Sequence, residues 1–116
     1  MNQTNETGIL NDLARTIAER RAVSSEKSYT QSLLAGGPSK CAKKFGEEAV
    51  EFALAVASED RDGVTAEAAD VLYHLLVALE VRDVPLDGVL AVLESRMGRS
   101  GHDEKAARTV ANVAGG

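Results

Sequence analysis

Apolar residues recur at helical spacing along most of the chain, and the alternation that is typical of strands is almost absent. This pattern, with its many alanines and leucines, predicts an all-α fold. Glycine and proline mark the breaks between segments, as in Gly36-Gly37-Pro38 and at Pro85. We expect helices over residues 6–21, 38–58, 64–81, 85–98 and 102–110, and a short helical piece over 30–34.

The second and third predicted helices are joined by the short stretch Glu59-Asp60-Arg61-Asp62-Gly63, which predicts a turn. A link of this length makes neighbouring helices antiparallel, so we expect an αα-hairpin. The third helix is apolar on nearly all sides, which predicts that it is largely buried. We expect a flexible extension over residues 1–8, one all-α domain over 9–110 and a frayed end over 111–116.

Composition narrows the class of protein. The chain has 116 residues, a formal net charge of −5 and few aromatic residues, which argues against a general nucleic-acid binder. It lacks an apolar run long enough to cross a membrane, and its polar N-terminus is unlike a signal peptide. With Cys41 as its single cysteine, it cannot form an intrachain disulfide. We therefore expect a cytoplasmic protein with no nucleic-acid or membrane partner.

Glutamates crowd the start of the second predicted helix, in the stretch GEEAVEFALA over 46–55. On a wheel of about 100° per residue, Glu48 falls at the edge of the apolar arc, with Glu51 beside it and Glu47 further round. The arc itself consists of Ala42, Phe45, Ala49, Phe52, Ala53 and Val56. Like charges one turn apart repel each other, so this crowding is costly without a compensating partner.

The third predicted helix repeats the arrangement. Glu67 and Asp70 fall at the edge of its apolar arc, and His74 continues their stripe by one more turn. That arc consists of Val64, Ala68, Leu72, Leu75 and Leu79. Because packed helices lie about 8–10 Å apart, the carboxylates of the two helices are expected to converge on one small volume.

Converging carboxylates are unfavourable unless they take up protons or a cation. Hard oxygen donors in this number suit Mg²⁺, or alternatively Mn²⁺, with coordination positions left for a phosphate substrate. The pattern therefore predicts a divalent-cation site on the hairpin. A solvated acidic surface without any ligand is the alternative. A carboxylate-bridged di-iron site is disfavoured, because the Glu-x-x-His motif it requires is absent from the sequence.

The motif Glu47-Glu48-x-x-Glu51, followed by Glu67-x-x-Asp70, resembles the signature of the all-α nucleotide pyrophosphatase superfamily, which includes the MazG-like enzymes. The stretches SYTQSLLAGGPSKCAKKFGEEAVEFALA, AEAADVLYHLLVAL, PLDGVLAVLESR and SGHDEKA are similar to the phosphoribosyl-ATP pyrophosphatases of histidine biosynthesis. Phe45 departs from the usual aliphatic residue but does not alter the acidic motif. The resemblance implies a MazG-like bundle of four to five helices that is completed by dimerisation.

The resemblance also implies an activity and a partner. The expected reaction is hydrolysis of phosphoribosyl-ATP to phosphoribosyl-AMP and pyrophosphate, the second step of histidine biosynthesis, by a homodimer. Because the family is often fused to phosphoribosyl-AMP cyclohydrolase, a functional link with that enzyme is also expected. The implied metal ligands are Glu48, Glu51, Glu67 and Asp70, and the implied catalytic residues are Glu47 and Glu48. Glu47 is the better candidate for the general base that activates water.

Basic residues are candidates for binding the triphosphate of the substrate. The candidates are Lys27, Lys43, Lys44, Lys105 and Arg108. Each is also consistent with a solvated side chain of no special role. Lys40 and Lys44 are further consistent with simple compensation of the neighbouring glutamates.

Three other residues have open roles. Tyr29 is a candidate for packing on the base of the substrate, and packing on the core is the alternative. His74 is either a structural helix residue or a partner that orients Asp70. Cys41 is expected to be a small apolar residue of the core.

Two rival functions remain open from the sequence. The acidic motif alone also fits a housecleaning pyrophosphatase that acts on damaged or excess nucleoside triphosphates, although the segments around Tyr29 and Tyr73 favour phosphoribosyl-ATP. The other rival is a non-catalytic helical module for dimerisation or metal binding. In such a module, replacement of Glu48 or Asp70 would have little effect or would stabilise the fold.

Overall fold

The computed structural model describes residues 6–22 and 28–98, and it is helical in almost all of this range. The helices are α1 (Glu6–Ala22), α2 (Tyr29–Ala35), α3 (Gly37–Ser58), α4 (Arg61–Val81) and α5 (Leu86–Met97). The described residues contain no strand, which confirms the predicted all-α class. The helix predicted over 102–110 lies outside the described residues. The domain bounds predicted at 9 and 110 remain predictions.

Helix α4 begins three residues earlier than the sequence predicted. Asp60 is its N-cap, and the Asp60 carboxylate accepts a hydrogen bond from the backbone N–H of Gly63 at 2.9 Å. This cap satisfies one of the unpaired N–H groups of the first turn, so the stretch predicted as a turn starts the helix instead. The link between α3 and α4 therefore shortens to Glu59 and Asp60.

The junction between α2 and α3 depends on a glycine. Ser28 caps α2, its hydroxyl accepting a hydrogen bond from the backbone N–H of Gln31 at 3.1 Å. Gly36 ends α2, and Gly37 begins α3 with a φ of 85°. This left-handed conformation is unfavourable for a residue with a Cβ, and Pro38 then occupies the first turn of α3. The chain thus changes direction between two helices without a loop.

Helices α3 and α4 make the most extensive contact between helices in the described structure. Their short link makes them antiparallel, which confirms the predicted αα-hairpin. At the end of the hairpin far from the link, α1, α2 and α4 contact one another and enclose the core. The buried members of this core are Ile17, Leu33, Leu34, Cys41, Leu76 and Val77. Cys41 thus has the predicted core position, and its thiol lies 3.2 Å from the carbonyl oxygen of Leu33.

The buried stripe of α3 differs from the predicted arc. Cys41 and Ala55 are its buried residues, whereas Val56 is 59% exposed and Ala42 and Ala53 are exposed. Glu48 lies half-buried on the same helical stripe as Cys41 and Ala55, so it faces α4 instead of the edge of an apolar arc. The prediction failed because polar Glu48 was assigned to the margin, although α4 covers the face on which it lies.

Helix α4 is also less buried than its apolar sequence predicted. Only His74, Leu76 and Val77 are buried along it, and Leu72 of the predicted arc is 43% exposed. Helix α4 contacts α1, α2 and α3. Over residues 71–81 most of its side chains are half-buried instead of fully buried, and Leu72 is exposed.

The C-terminal end of α4 is closed by a Schellman motif. The backbone N–H of Val84 donates to the carbonyl of Leu79 at 2.9 Å, and that of Asp83 donates to the carbonyl of Glu80 at 3.0 Å. Asp83 occupies the left-handed position with a φ of 57°, where glycine is usual. The guanidinium of Arg21 on α1 holds this end, at 2.8 Å from the Asp83 carboxylate, 3.0 Å from the Glu80 carboxylate and 2.7 Å from the Glu80 carbonyl.

The chain divides into two compact units, Met1–Leu86 and Asp87–Gly116. The first unit contains α1 to α4 and the core, against which Leu86 also packs. The second contains the remainder of α5, on which Val92, Leu93 and Met97 are exposed. Among the described helices, none has the length and apolar character needed to cross a membrane.

Candidate active site

Carboxylates from both helices of the hairpin meet between the link and the core. Glu48 of α3 lies against Glu67 and Asp70 of α4, and one carboxylate oxygen from each lies within 4.8 Å of the others. Glu67 and Asp70 are neighbours because residues three apart share a helical face. Glu48 and Glu67 are half-buried and Asp70 is exposed, so the group is open to solvent on one side.

The crowding of carboxylates in this group affects the pKa of Glu67. Burial raises the pKa of the Glu67 carboxyl, and the charges of Asp70, Glu51, Glu48 and Glu59 raise it further, in that order. Each of these causes disfavours the ionised form. A cation placed among these residues would reverse the effect, because it would favour the ionised carboxylates.

Within the described range 6–22 and 28–98, no side-chain cation forms an ion pair with a carboxylate of the group. The ion pairs found there join Arg15 to Asp12, Arg21 to Glu80 and Asp83, and Lys44 to Glu47. None of them includes Glu48, Glu67 or Asp70. The carboxylates that lie closest together are therefore those without an ion-pair partner.

The two remaining predicted glutamates lie apart from this group of three. Glu51 is exposed on α3, one turn beyond Glu48, and it is close enough for its charge to raise the pKa of Glu67. Glu47 is exposed and pairs with Lys44, whose Nζ lies 3.4 Å from a Glu47 carboxylate oxygen. The structure therefore brings together three of the four predicted metal ligands, with Glu51 at the margin.

The predicted phosphate-binding residues have differing positions. Lys27, Lys105 and Arg108 lie outside the described residues. Lys43 is exposed on α3, and Lys44 is half-buried beside it. The pKa of Lys44 is raised, chiefly by its hydrogen bond with Glu47 and then by its interaction with Tyr29. Lys44 therefore stays fully protonated at neutral pH near the acidic group. Lys40 instead reaches the carbonyl of Ser32, at 3.4 Å.

An aromatic cluster of Tyr29, Tyr73 and His74 adjoins the acidic group. The imidazole of His74 is edge-on to both phenol rings, with ring centroids 4.9 Å from Tyr73 and 5.9 Å from Tyr29. Its Nδ1 lies 2.8 Å from the backbone carbonyl oxygen of Asp70, and its Nε2 lies 3.0 Å from the hydroxyl of Tyr29. The hydroxyl groups of Thr30 and Tyr73 also bond to each other.

The cluster was only partly predictable. His74 does contact Asp70, as one of its two predicted roles required, but through the backbone carbonyl and not the carboxylate. The spacing of four residues between Asp70 and His74 was the available signal for that contact. The bond to Tyr29 joins residues that are distant in sequence, and it had no signal in the helical pattern.

The donor set suits a small divalent cation. All three side chains offer carboxylate oxygens, which are the ligands that Mg²⁺ and Mn²⁺ prefer. The oxygens bound to one Mg²⁺ are at most about 4.2 Å apart, and the three carboxylate oxygens here lie within 4.8 Å of one another. Asp70 leaves one side of the group exposed, and Lys44 is close enough to interact electrostatically with Glu48.

Comparison with known proteins agrees with this architecture. The family described as "Phosphoribosyl-ATP pyrophosphohydrolase" matches residues 10–97, which include the hairpin and every carboxylate of the acidic group. The chain is 54% identical over 99 residues to the phosphoribosyl-ATP pyrophosphatase of Agrobacterium fabrum, a match that covers 85% of this chain and 92% of that protein.

Two further relatives carry the same name. Identity is 55% over 100 residues with the phosphoribosyl-ATP pyrophosphatase of Cereibacter sphaeroides, covering 86% of this chain and 97% of that protein. It is 56% over 100 residues with that of Dinoroseobacter shibae, covering 86% and 98%. The chain belongs to the phosphoribosyl-ATP pyrophosphohydrolase family.

Proposed function

We propose that this chain hydrolyses phosphoribosyl-ATP to phosphoribosyl-AMP and pyrophosphate, in histidine biosynthesis. Family membership over most of the chain supports the reaction. The observation that supports this site is the convergence of Glu48, Glu67 and Asp70 without an ion-pair partner among the described residues. A cation bound among these three carboxylates would relieve their mutual repulsion.

We propose Mg²⁺ as the cofactor, with Mn²⁺ as a substitute, held by Glu48, Glu51, Glu67 and Asp70. Three of these residues already offer oxygens within 4.8 Å of one another, and the exposed Glu51 is one helical turn from Glu48. When bound, the ion would neutralise phosphate oxygens and make a water molecule more acidic. The carboxylates of the chain supply the negative charge that retains it.

We propose roles for the other predicted residues as well. Lys44, protonated beside the acidic group, would contact the phosphate chain, and the exposed Lys43 would support it. Lys27, Lys105 and Arg108 remain candidate phosphate ligands. Glu47 remains the candidate general base, because its carboxylate lies at the solvent-exposed side of α3, where it can take a proton from an attacking water. Its partner Lys44 would hold it in place.

We propose that the active protein is a homodimer. Val50 and Leu54 lie about one turn apart on the same face of α3 and are each more than half exposed, and Leu72 of α4 is 43% exposed. Large apolar side chains grouped in this way are typical of an interface. A second copy covering them would also explain why the sequence of α4 is apolar on nearly all sides.

We also place the enzyme in the cytoplasm, next to phosphoribosyl-AMP cyclohydrolase in the pathway. The product of the proposed reaction is the substrate of the cyclohydrolase, which gives the two enzymes a functional link. Physical association is a separate question, and co-elution of the two purified proteins would test it.

The test of the proposed function is pyrophosphate release from phosphoribosyl-ATP, with ATP, dUTP and dCTP measured alongside. We expect selective hydrolysis of phosphoribosyl-ATP with Mg²⁺, loss of activity in EDTA and recovery with Mg²⁺ or Mn²⁺. Hydrolysis of the ordinary nucleotides alone would keep the site but replace the substrate by that of a housecleaning enzyme. Hydrolysis of none of them would favour a non-catalytic helical module.

A further inference from the structure

His74 uses both ring nitrogens although it is only 6% exposed. Its Nδ1 faces the backbone carbonyl of Asp70, and a carbonyl oxygen only accepts, so Nδ1 carries the proton and donates. In the neutral ring, Nε2 then holds a lone pair and accepts the hydroxyl proton of Tyr29. The tautomer is therefore fixed by the backbone of α4, and it determines the direction of the bond to Tyr29.

Tyr29 combines a fixed hydroxyl with a ring that is open to solvent. The residue is 52% exposed, yet its hydroxyl is 3.0 Å from the buried imidazole. Burial is the largest cause that raises the pKa of Tyr29, and the charges of Lys44, Glu48 and Glu47 also act on this hydroxyl. Tyr29 thus stays a neutral donor to His74, and it lies near the acidic group and the proposed phosphate ligand.

The hydroxyl of Tyr29 donates a hydrogen bond to His74. The part of Tyr29 left to contact a ligand is therefore its aromatic ring. A half-exposed aromatic residue near Lys44, the proposed phosphate ligand, suits a nucleobase, because bases stack on aromatic side chains whatever their hydrogen-bonding edge. The ring of Tyr29 also stacks on that of Tyr73, with centroids 6.2 Å apart. Without the bond to His74, this offset contact alone would hold a half-exposed ring, and binding would have to select one of several rotamers.

We propose that His74 is a positioning residue that fixes the ring of Tyr29 for stacking on the purine base of the substrate. This inference rests on the proposed function, which supplies the nucleotide. His74 does not touch the substrate; it links the backbone at Asp70 to the ring that receives the base. One turn of α4, from Asp70 to His74, thereby fixes the position of the base-binding ring relative to the acidic group.

The test separates KM from kcat for phosphoribosyl-ATP in the full-length protein. His74→Leu removes the acceptor, and Tyr29→Phe removes the donor while keeping the ring. Each should raise KM by about 3- to 10-fold, the range that one hydrogen bond spans, with kcat within about twofold. His74→Gln, which keeps an acceptor near the position of Nε2, should restore a KM close to that of the wild type.

A double-mutant cycle makes the test specific to the bond. If Tyr29 and His74 act through one contact, combining Tyr29→Phe with His74→Leu should raise KM no further than either change alone. The control is Tyr73→Phe, which removes the hydroxyl bonded to Thr30 in the same cluster. It should lower the midpoint of thermal unfolding without changing KM.

The outcomes are distinct. An unchanged KM in Tyr29→Phe, additive effects in the double variant or an equal KM rise in Tyr73→Phe would each overturn the inference. If His74→Leu does not fold, as circular dichroism would show, Tyr29→Phe and Tyr29→Ala decide it, with Tyr29→Ala expected to raise KM by about 10-fold or more. Failure of the wild type to hydrolyse phosphoribosyl-ATP would overturn the proposed function and this inference together.

Discussion

Helix α4 contributes to two acidic groups that differ in whether a basic side chain of the described residues pairs with them. In its N-terminal half, Glu67 and Asp70 meet Glu48 without an ion-pair partner among the described residues. At its C-terminal end, Glu80 and the following Asp83 share the guanidinium of Arg21 at 3.0 and 2.8 Å. Glu67, Asp70 and Glu80 thus belong to the same helix and differ in whether an ion pair neutralises them.

Under the proposed function, this difference is the one expected between a structural acid and a functional one. A carboxylate that serves the fold is expected to have a counter-charge from the chain itself, as Glu80 does. A carboxylate that binds a cation cannot also be paired with a basic side chain. Without the cation, it is therefore repelled by the neighbouring carboxylates. The comparison predicts opposite responses to the same substitution, and these responses can be measured.

The largest expected effect is on activity. Glu48→Gln should lower kcat/KM by at least about 100-fold, because even residues that only orient metal ligands are worth 10–100-fold in metal proteins. Its fold should remain as stable as the wild type or become more stable. The matched control is Glu80→Gln, which removes an acid of the same type and should leave activity unchanged. An equal loss of activity in Glu48→Gln and Glu80→Gln would contradict the proposal that only the unpaired group takes part in the reaction.

The next effect is stabilisation by the cation. Adding Mg²⁺ or Mn²⁺ should raise the midpoint of thermal unfolding, since a ligand that binds only the folded state at 100 times its Kd stabilises by about 2.7 kcal/mol. Asp70→Asn should weaken this response and Glu80→Gln should keep it. Differential scanning calorimetry of metal-free protein, titrated with each ion, measures the shift. A full response in Asp70→Asn would argue against the proposed ligand set.

A smaller effect is expected from the paired group. Arg21→Gln removes the shared partner of Glu80 and Asp83, so the midpoint of thermal unfolding should fall by a few degrees with activity unchanged. Arg15→Gln is the control on the same helix, because the Arg15–Asp12 pair is highly exposed and lies within one helix. Similar stability loss in both variants would show that the Arg21 contacts are ordinary surface pairs.

The smallest effect is a pH dependence that distinguishes Glu67 from Glu80. Burial and neighbouring charges raise the pKa of Glu67 in the folded protein above its unfolded value of about 4.3. Between these two values the folded state binds more protons, so the contribution of Glu67 to stability falls as pH rises through this window. In metal-free protein at pH 7, Glu67→Gln should therefore be more stable than the wild type.

That gain should shrink as the pH is lowered toward the unfolded pKa of Glu67, where the wild-type carboxyl takes up a proton and repulsion ends. Glu80→Gln should show the opposite sign at pH 7, because it loses its pair with Arg21. Urea unfolding of the three proteins at several pH values, all with EDTA, provides the measurement. A Glu67→Gln variant less stable than the wild type at pH 7 would contradict the prediction.

Much of the fold was predictable because it depends on residues that are close together in the sequence. Helical spacing, the glycine and proline breaks and the short link between α3 and α4 are properties of neighbouring residues, and they predicted the hairpin correctly. The start of α4 was missed because Asp60 was assigned to a turn, although an aspartate in that position is a typical N-cap. The buried face of α3 was missed because burial depends on which helices cover it, not on periodicity alone.

The site was predictable in its residue types and less so in its contacts. Two acidic pairs on adjacent helices were enough to predict that carboxylates converge. The sequence did not show that Glu51 lies at the margin while Glu48 faces α4, because a small rotation of the helix separates these outcomes. The bond from His74 to Tyr29 depends on the packing of α2 against α4, a contact between residues far apart in the chain.

The two-residue link between α3 and α4 has a consequence for how the protein acquires its site. Glu48, Glu67 and Asp70 all belong to one hairpin, so they approach one another as soon as the two helices pair. Contacts between residues close in sequence form quickly in folding. The acidic site is thus contained within one helical hairpin, so its carboxylates can approach one another early in folding.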